Sequence, residues 1–174
     1  MKLTTRETAI FAMLGAVMYV SKVLMDAFPN IHLLGVFIVA LTVVYRQKAL
    51  YPIYIFVFLT GLFNGFNTWW LAYLYTWAVL WGLTMLLPKN MPKAVAPVVY
   101  CLVSSFHGFI YGILCAPVEA LFFGLKDFRA IITWIANGAA FDITHGVSNL
   151  ICGVMIVPLI RVLTIAEKQK GHSD

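Results

Sequence analysis

The sequence predicts an all-α integral membrane protein of six transmembrane helices, with both termini cytoplasmic. Three observations carry that reading. The 174-residue chain is 62% hydrophobic and 11% charged, against roughly 45–50% and about 25% in an ordinary soluble domain. Its apolar residues run in long blocks without the strict alternation of strands, and only helices or closed barrels can cross lipid. The blocks are divided by Pro, Asn, Gly and charged residues, which end helices. A soluble globule of this size cannot hide so much apolar surface, and a disordered chain would be polar and highly charged. The +5 net charge is dispersed, which argues against nucleic-acid binding. Residues 1–174 are expected to form one membrane domain.

The first segment, Thr8–Phe28, follows Lys2 and Arg6. That opening mimics a signal peptide, but the equally apolar remainder makes an uncleaved first helix the expectation. It ends at Pro29-Asn30. Segments two, Leu33–Tyr45, and three, Ala49–Phe63, flank Arg46-Gln47-Lys48 and are short for a span. Two tilted or mismatched spans are expected there, with a re-entrant hairpin as the rival. Pro52 falls in the first turn of segment three, where its missing N–H costs little. Segment four, Thr68–Leu87, follows Asn64-Gly65-Phe66-Asn67 and ends at a Pro- and Lys-rich loop. Segments five, Ala94–Phe123, and six, Ile131–Ala166, are each read as one helix, separated by Gly124–Arg129.

Six spans place Lys2, Arg6, Arg46, Lys48, Lys89, Lys93, Arg161, Lys168 and Lys170 on one side, and Lys22, Lys126 and Arg129 on the other. The positive-inside rule makes the richer side cytoplasmic. Cys101, Cys115 and Cys152 lie within apolar runs at spacings that match no zinc pattern. They are expected as small lipid- or core-facing residues, and no metal or cofactor is expected.

Polar side chains within apolar segments cost roughly 2.5–3.5 kcal/mol at mid-bilayer, so they mark cavities, pairs or rims. Asp142, His145 and Asn149 fall at i, i+3 and i+7 on one helical face. They would either bind a polar ligand or, for Asp142 and His145, pair with each other. His107 lies deep in segment five, where a structural hydrogen bond competes with ligand contact. Glu119, near the end of that segment, is a further candidate whose alternative is a headgroup-level charge. Asn64, Asn67, Trp69, Trp70 and Tyr73 would make an aromatic and amide wall, though Trp and Tyr favour membrane interfaces whatever the function. Trp134 and Asn137 would stand opposite. Lys22 and Asp26, four apart, would pair with each other or cap the site.

The run Thr5-Arg6-Glu7-Thr8-Ala9-Ile10-Phe11-Ala12-Met13-Leu14-Gly15-Ala16 resembles the first helix of the substrate-binding S components of energy-coupling factor (ECF) transporters. Ala12-x-x-x-Ala16 matches their Ala-x-x-x-Ala motif, and Phe141–Asn149 is similar to a subgroup of them. The resemblance implies a six-helix prokaryotic plasma-membrane protein that captures a vitamin or related micronutrient at its outer face. It implies two further partners: a membrane scaffold subunit and a pair of cytoplasmic ATPases. Ala12, Gly15 and Ala16 would then form a smooth partner-binding face; packing within the chain's own bundle is the alternative. The chain has no phosphate-binding Gly-x-x-x-x-Gly-Lys-Ser/Thr loop of its own. An enzyme is not expected. A non-catalytic six-span scaffold is the first rival reading, and a membrane enzyme using Asp142 and His145 as an acid/base pair is the second.

Overall fold

The computed structural model describes residues 3–170, apart from the side chains of 169 and 170. Lys2 and the side chain of Lys170, both counted above toward the basic side, lie outside that description. The described chain is helical without strands: α1 Thr5–Met25, α2 Leu34–Tyr45, α3 Leu50–Asn64, α4 Thr68–Met85, α5 Ala96–Phe109, α6 Tyr111–Phe123, α7 Phe128–Cys152 and α8 Ile156–Lys170. Short 3-10 turns join α2 to α3 and α7 to α8. Four helical stretches among the described residues are long and apolar enough to cross a membrane: Thr5–Met25, Leu34–Asn64, Ala96–Phe123 and Phe128–Lys168. The Trp- and Tyr-rich α4 is not one of these four.

α1 starts on a capping box in which Thr4 and Glu7 satisfy each other's backbone amides. Glu7 also accepts from Lys48 Nζ at 2.6 Å. The pairs Glu7–Lys48, Gly15–Ile55 and Tyr19–Asn64 advance together along both helices, so α1 and α3 run in the same direction. The intervening α2 must therefore run back. The chain turns between α2 and α3 at Arg46, whose φ of 53° is unusual for a residue with a side chain. Two hydrogen bonds hold the turn against α4. Trp81 Nε1 donates to the Arg46 carbonyl at 3.1 Å, and the Arg46 guanidinium donates to the Met85 carbonyl at 2.8 Å.

α2 is the central post. From Leu34 to Thr42 all but Phe37 are buried, and α2 packs against α1, α4, α5, α7 and α8. Its 12 residues give roughly 18 Å of helix, which explains the shortness seen in the sequence. α4 lies antiparallel to α3, tied by Tyr54 Oη to the Leu74 carbonyl and Trp70 Nε1 to the Val57 carbonyl.

Segment five is not one helix: α5 ends and α6 begins around Ile110. The amide of Gly112, in the first turn of α6, has no carbonyl to meet inside that helix, and Asp142 Oδ1 accepts it at 2.9 Å. Segment six starts earlier than expected, at Phe128, because Asp127 caps the helix by accepting from the Ala130 amide. It is interrupted by the turn Gly153–Met155.

α7 runs antiparallel to α5 and α6, and the two helices nearly touch at Gly108 and Gly146. A Cβ on Gly108 would lie 2.8 Å from the Gly146 backbone. Ser105 Oγ donates to the Gly146 carbonyl at 2.8 Å, and Asn149 Nδ2 to the Ser104 carbonyl at 3.0 Å. Polar groups thus lie inside while large apolar side chains lie outside. Leu102 and Phe106 on α5, and Phe141, Ile143, Ile151 and Val154 on α7 and the turn after it, are exposed. Such a continuous apolar exterior suits lipid and would be a liability in water.

This close approach generates the first prediction. Gly108→Val should lower the thermal midpoint in detergent, with roughly 1–3 kcal/mol of stability lost to overpacking. Leu102→Ala, on the exposed face of the same helix, should leave the midpoint nearly unchanged.

Candidate functional site

Four helices and one loop converge on a cluster of rings. α4 contributes Tyr73 and Trp77, which are four residues apart and so share a face. His107 comes from α5, Tyr111 from α6, His145 from α7, and His32 from the loop between α1 and α2. The ring centroids of His32 and His145 are 4.6 Å apart, those of Tyr111 and His145 4.9 Å, and those of Tyr73 and Trp77 5.2 Å. His107 stands behind them, 5.7 Å from Trp77 and 6.4 Å from His145. The Gly108–Gly146 contact permits this, since any larger residue at either position would push α5 and α7 apart.

The hydrogen-bond inventory of the cluster is incomplete. His107 Nε2 lies 2.9 Å from the Thr76 carbonyl, which requires that nitrogen to carry the proton. Among the described residues, His107 Nδ1, His32 Nδ1, both ring nitrogens of His145 and Trp77 Nε1 are buried with no partner; outside the cluster so are Arg46 Nε, Ser104 Oγ, Ser148 Oγ and Asn149 Oδ1. Native interiors satisfy nearly all such groups, and a concentration of exceptions marks a place built for something else.

A cavity of about 180 Å³ opens beside these groups. Tyr73, Tyr111 and His145 line it from the helices, and the loop Met25–His32 closes the other side. At its rim Lys22 Nζ and Asp26 Oδ1 form an ion pair at 2.8 Å, fulfilling the pairing considered from their spacing. Burial lowers the pKa of His32, which lies in the loop, to about 4, so this imidazole is neutral at physiological pH. No grouping of three or more His, Cys, Asp or Glu among the described residues is arranged to hold a metal ion, and Cys101, Cys115 and Cys152 are free thiols.

No family model, curated protein or solved structure matches this chain. Function must therefore be argued from the site itself.

Of the residues singled out in the sequence, Tyr73, His107 and His145 come together here. Trp69 reaches the edge of the cluster through Tyr73, with centroids 5.2 Å apart. The others lie elsewhere. Asp142 does not bond to His145; its carboxylate serves the Gly112 amide. Asn149 ties α7 to α5. Asn64 accepts from Tyr19, Asn67 caps α4, and Trp70 bonds α3, so these three build the α3–α4 turn and do not line the cavity. Trp134 and Asn137 line a separate open groove with Asp127 and Arg129. Glu119 is half-buried on α6, away from the cavity lining. On α1, Ala12 is exposed and Ala16 half-buried, whereas Gly15 is buried against Ile55 and the Pro52 carbonyl of α3. Gly15 therefore belongs to the bundle's own packing.

His32 is the residue that sequence reasoning passed over. Its signal was a lone imidazole two residues beyond Pro29-Asn30, in a break otherwise short of polar groups. A titratable ring placed directly before the chain's most buried helix is drawn against the bundle, and His32 is half-buried with its Nδ1 out of reach of solvent.

The neutral state of His32 gives a pH prediction. The unfolded chain takes up a proton near pH 6.5, while the folded one resists it down to about pH 4. The unfolded state thus binds more protons in that window, and stability should fall as pH drops through it. A thermal-unfolding series in detergent checks this, and His32→Gln should reduce the slope.

Proposed function

We propose that this chain is the substrate-binding membrane subunit of an ECF-type ATP-driven importer. It captures a vitamin or related micronutrient from outside a prokaryotic plasma membrane. The observation that carries the reading is the partly open cavity beside unpartnered imidazole nitrogens, at the end of the bundle poorer in Lys and Arg. Ligand sites are concave and largely aromatic, with a few placed polar groups, and this one is covered by a single short loop.

The topology supports the same reading. We read the direction reversals described above as six passes: α1, α2, α3, α4, α5 with α6, and α7 with α8. Arg6, Arg46, Lys48, Lys89, Lys93, Arg161 and Lys168 then share one end, which the positive-inside rule makes cytoplasmic. The cavity with its Lys22–Asp26 rim is at the other end, where a substrate arrives. Energy would come from two cytoplasmic ATPases coupled through a membrane scaffold subunit, since the chain has no nucleotide-binding loop. The face of α1 that carries Ala12 also exposes Met13, Val17 and Val20, an apolar strip on which another helix can pack closely.

Substitutions on α1 separate partner contact from internal packing. Ala12→Trp places bulk on an exposed position, so the isolated protein should keep its stability. Its recovery with co-expressed scaffold and ATPase subunits, and ATP-driven uptake in proteoliposomes, should fall. Gly15→Leu should instead destabilise the protein itself, by about 1–3 kcal/mol, because Ile55 and the α3 backbone occupy that space. Failure of the wild-type chain to assemble with the ATPases would overturn the proposal.

A further inference from the structure

We infer that the cavity takes a compact, uncharged, planar nitrogen heterocycle of one ring or two fused rings, held by His145 and His32. The inference rests on reading the cavity as the importer's capture site and adds the class of substrate. Size is the first argument. A volume of about 180 Å³ corresponds to about six water molecules at liquid density. That accommodates a pyridine, pyrimidine or purine within the cavity and leaves the further rings of a larger molecule outside it.

Charge is the second argument. The charged groups lining the cavity are Lys22 and Asp26, and they neutralise each other at 2.8 Å. The inner lining consists of imidazoles and phenols. An ionised ligand would lose its hydration there without gaining a counter-charge, which is heavily penalised in a low-dielectric site.

Hydrogen-bonding pattern is the third. A neutral imidazole presents one N–H donor and one bare nitrogen acceptor. Both nitrogens of His145 and Nδ1 of His32 are buried and unpartnered. A ligand edge that meets one His145 nitrogen together with Nδ1 of His32 must offer a donor and an acceptor side by side. The amide and ring-nitrogen edges of nitrogen heterocycles do this; a hydrocarbon ring does not, and a sugar ring, though it hydrogen-bonds, has no flat face to lie against aromatic walls. The faces of Tyr73 and Tyr111 supply aromatic walls for a flat ring.

The test uses the full-length protein in lipid nanodiscs and isothermal titration with defined probes: nicotinamide, adenine, hypoxanthine and thymine. Nicotinate serves as the charged counterpart of nicotinamide, and riboflavin and folate as multi-ring probes. At least one neutral probe should bind with a dissociation constant of about 1 mM or tighter, and nicotinate should bind at least about tenfold more weakly than nicotinamide. His145→Ala should weaken the best probe by about tenfold, the effect of stranding a buried hydrogen-bond partner. Tyr73→Leu, which removes the aromatic face, should weaken it by about threefold, whereas Tyr73→Phe, which keeps that face, should bind as the wild type does.

The inference is overturned if no neutral probe binds at about 1 mM, if nicotinate matches nicotinamide, if riboflavin or folate binds more tightly, or if Tyr73→Leu leaves affinity unchanged. None of those results touches assembly with the ATPase subunits. Conversely, loss of that assembly with heterocycle binding intact would remove the importer reading and leave the ligand class standing.

Discussion

The near-contact of α5 and α7 at Gly108 and Gly146 is the constraint on which the rest of the molecule depends. In lipid there is no hydrophobic drive to press helices together, so association relies on close packing and interhelical hydrogen bonds. Two glycines facing each other bring two backbones within reach of side-chain donors. Ser105 and Asn149 then bond carbonyls of the opposite or adjacent helix, and Asp142 takes the amide freed at the start of α6. His107 and His145 adjoin these glycines in sequence. The same contact that fastens the helices therefore sets the spacing of the imidazoles.

A second consequence concerns α2. Because α5 and α7 lie so close, the space left inside the bundle accepts one short helix, and α2 fills it with Leu, Val and Ile on nearly every side. Gly35 faces Ser104 and Asn149, so the central helix too is seated through a residue without a side chain. A helix this short cannot reach both ends of the bundle. The loop before it descends into the interior, carrying His32 to within 4.6 Å of the His145 ring. The cavity is the space left under that loop, where no side chain of α2 extends.

Much of this architecture could be read from composition and punctuation, because helix ends in an apolar chain are set locally by Pro, Asn, Gly and charge. The segments, the shortness of two of them, and the crowding of basic residues toward one end all followed from such signals. The interruptions at Ile110 and Gly153–Met155 did not, since neither carries a proline or a charge and a lone glycine inside an apolar helix is tolerated. The break at Ile110 is matched by an acceptor thirty residues beyond Gly112, on another helix. Site residues divided along the same line. His107, His145 and Tyr73 were visible because polar or amphipathic groups in apolar segments are costly wherever they point. Asp142 and Asn149 shared that visibility, but the Asp142 carboxylate and the Asn149 amide nitrogen meet backbone groups of neighbouring helices. Helical spacing placed Asp142, His145 and Asn149 on one face; which of them finds a partner depends on what the facing helix offers.

That difference identifies the site more sharply than residue type does. The described interior holds many polar side chains, and several are absorbed by carbonyls one turn back or across an interface: Thr42, Thr60 and Thr84 to their own helices, Ser105 and the Asn149 amide nitrogen to neighbours. The fold leaves Ser104 Oγ, Ser148 Oγ and Asn149 Oδ1 without a partner as single atoms along the α5–α7 interface. It leaves the largest group of ring nitrogens unsatisfied beside a cavity, on side chains delivered by three helices and a loop. If structure alone were being served, an apolar ring at position 145 would fill the same volume without the desolvation cost of two unpaired nitrogens. Keeping an imidazole there has a physical reason only when something that can hydrogen-bond to it occupies the space alongside.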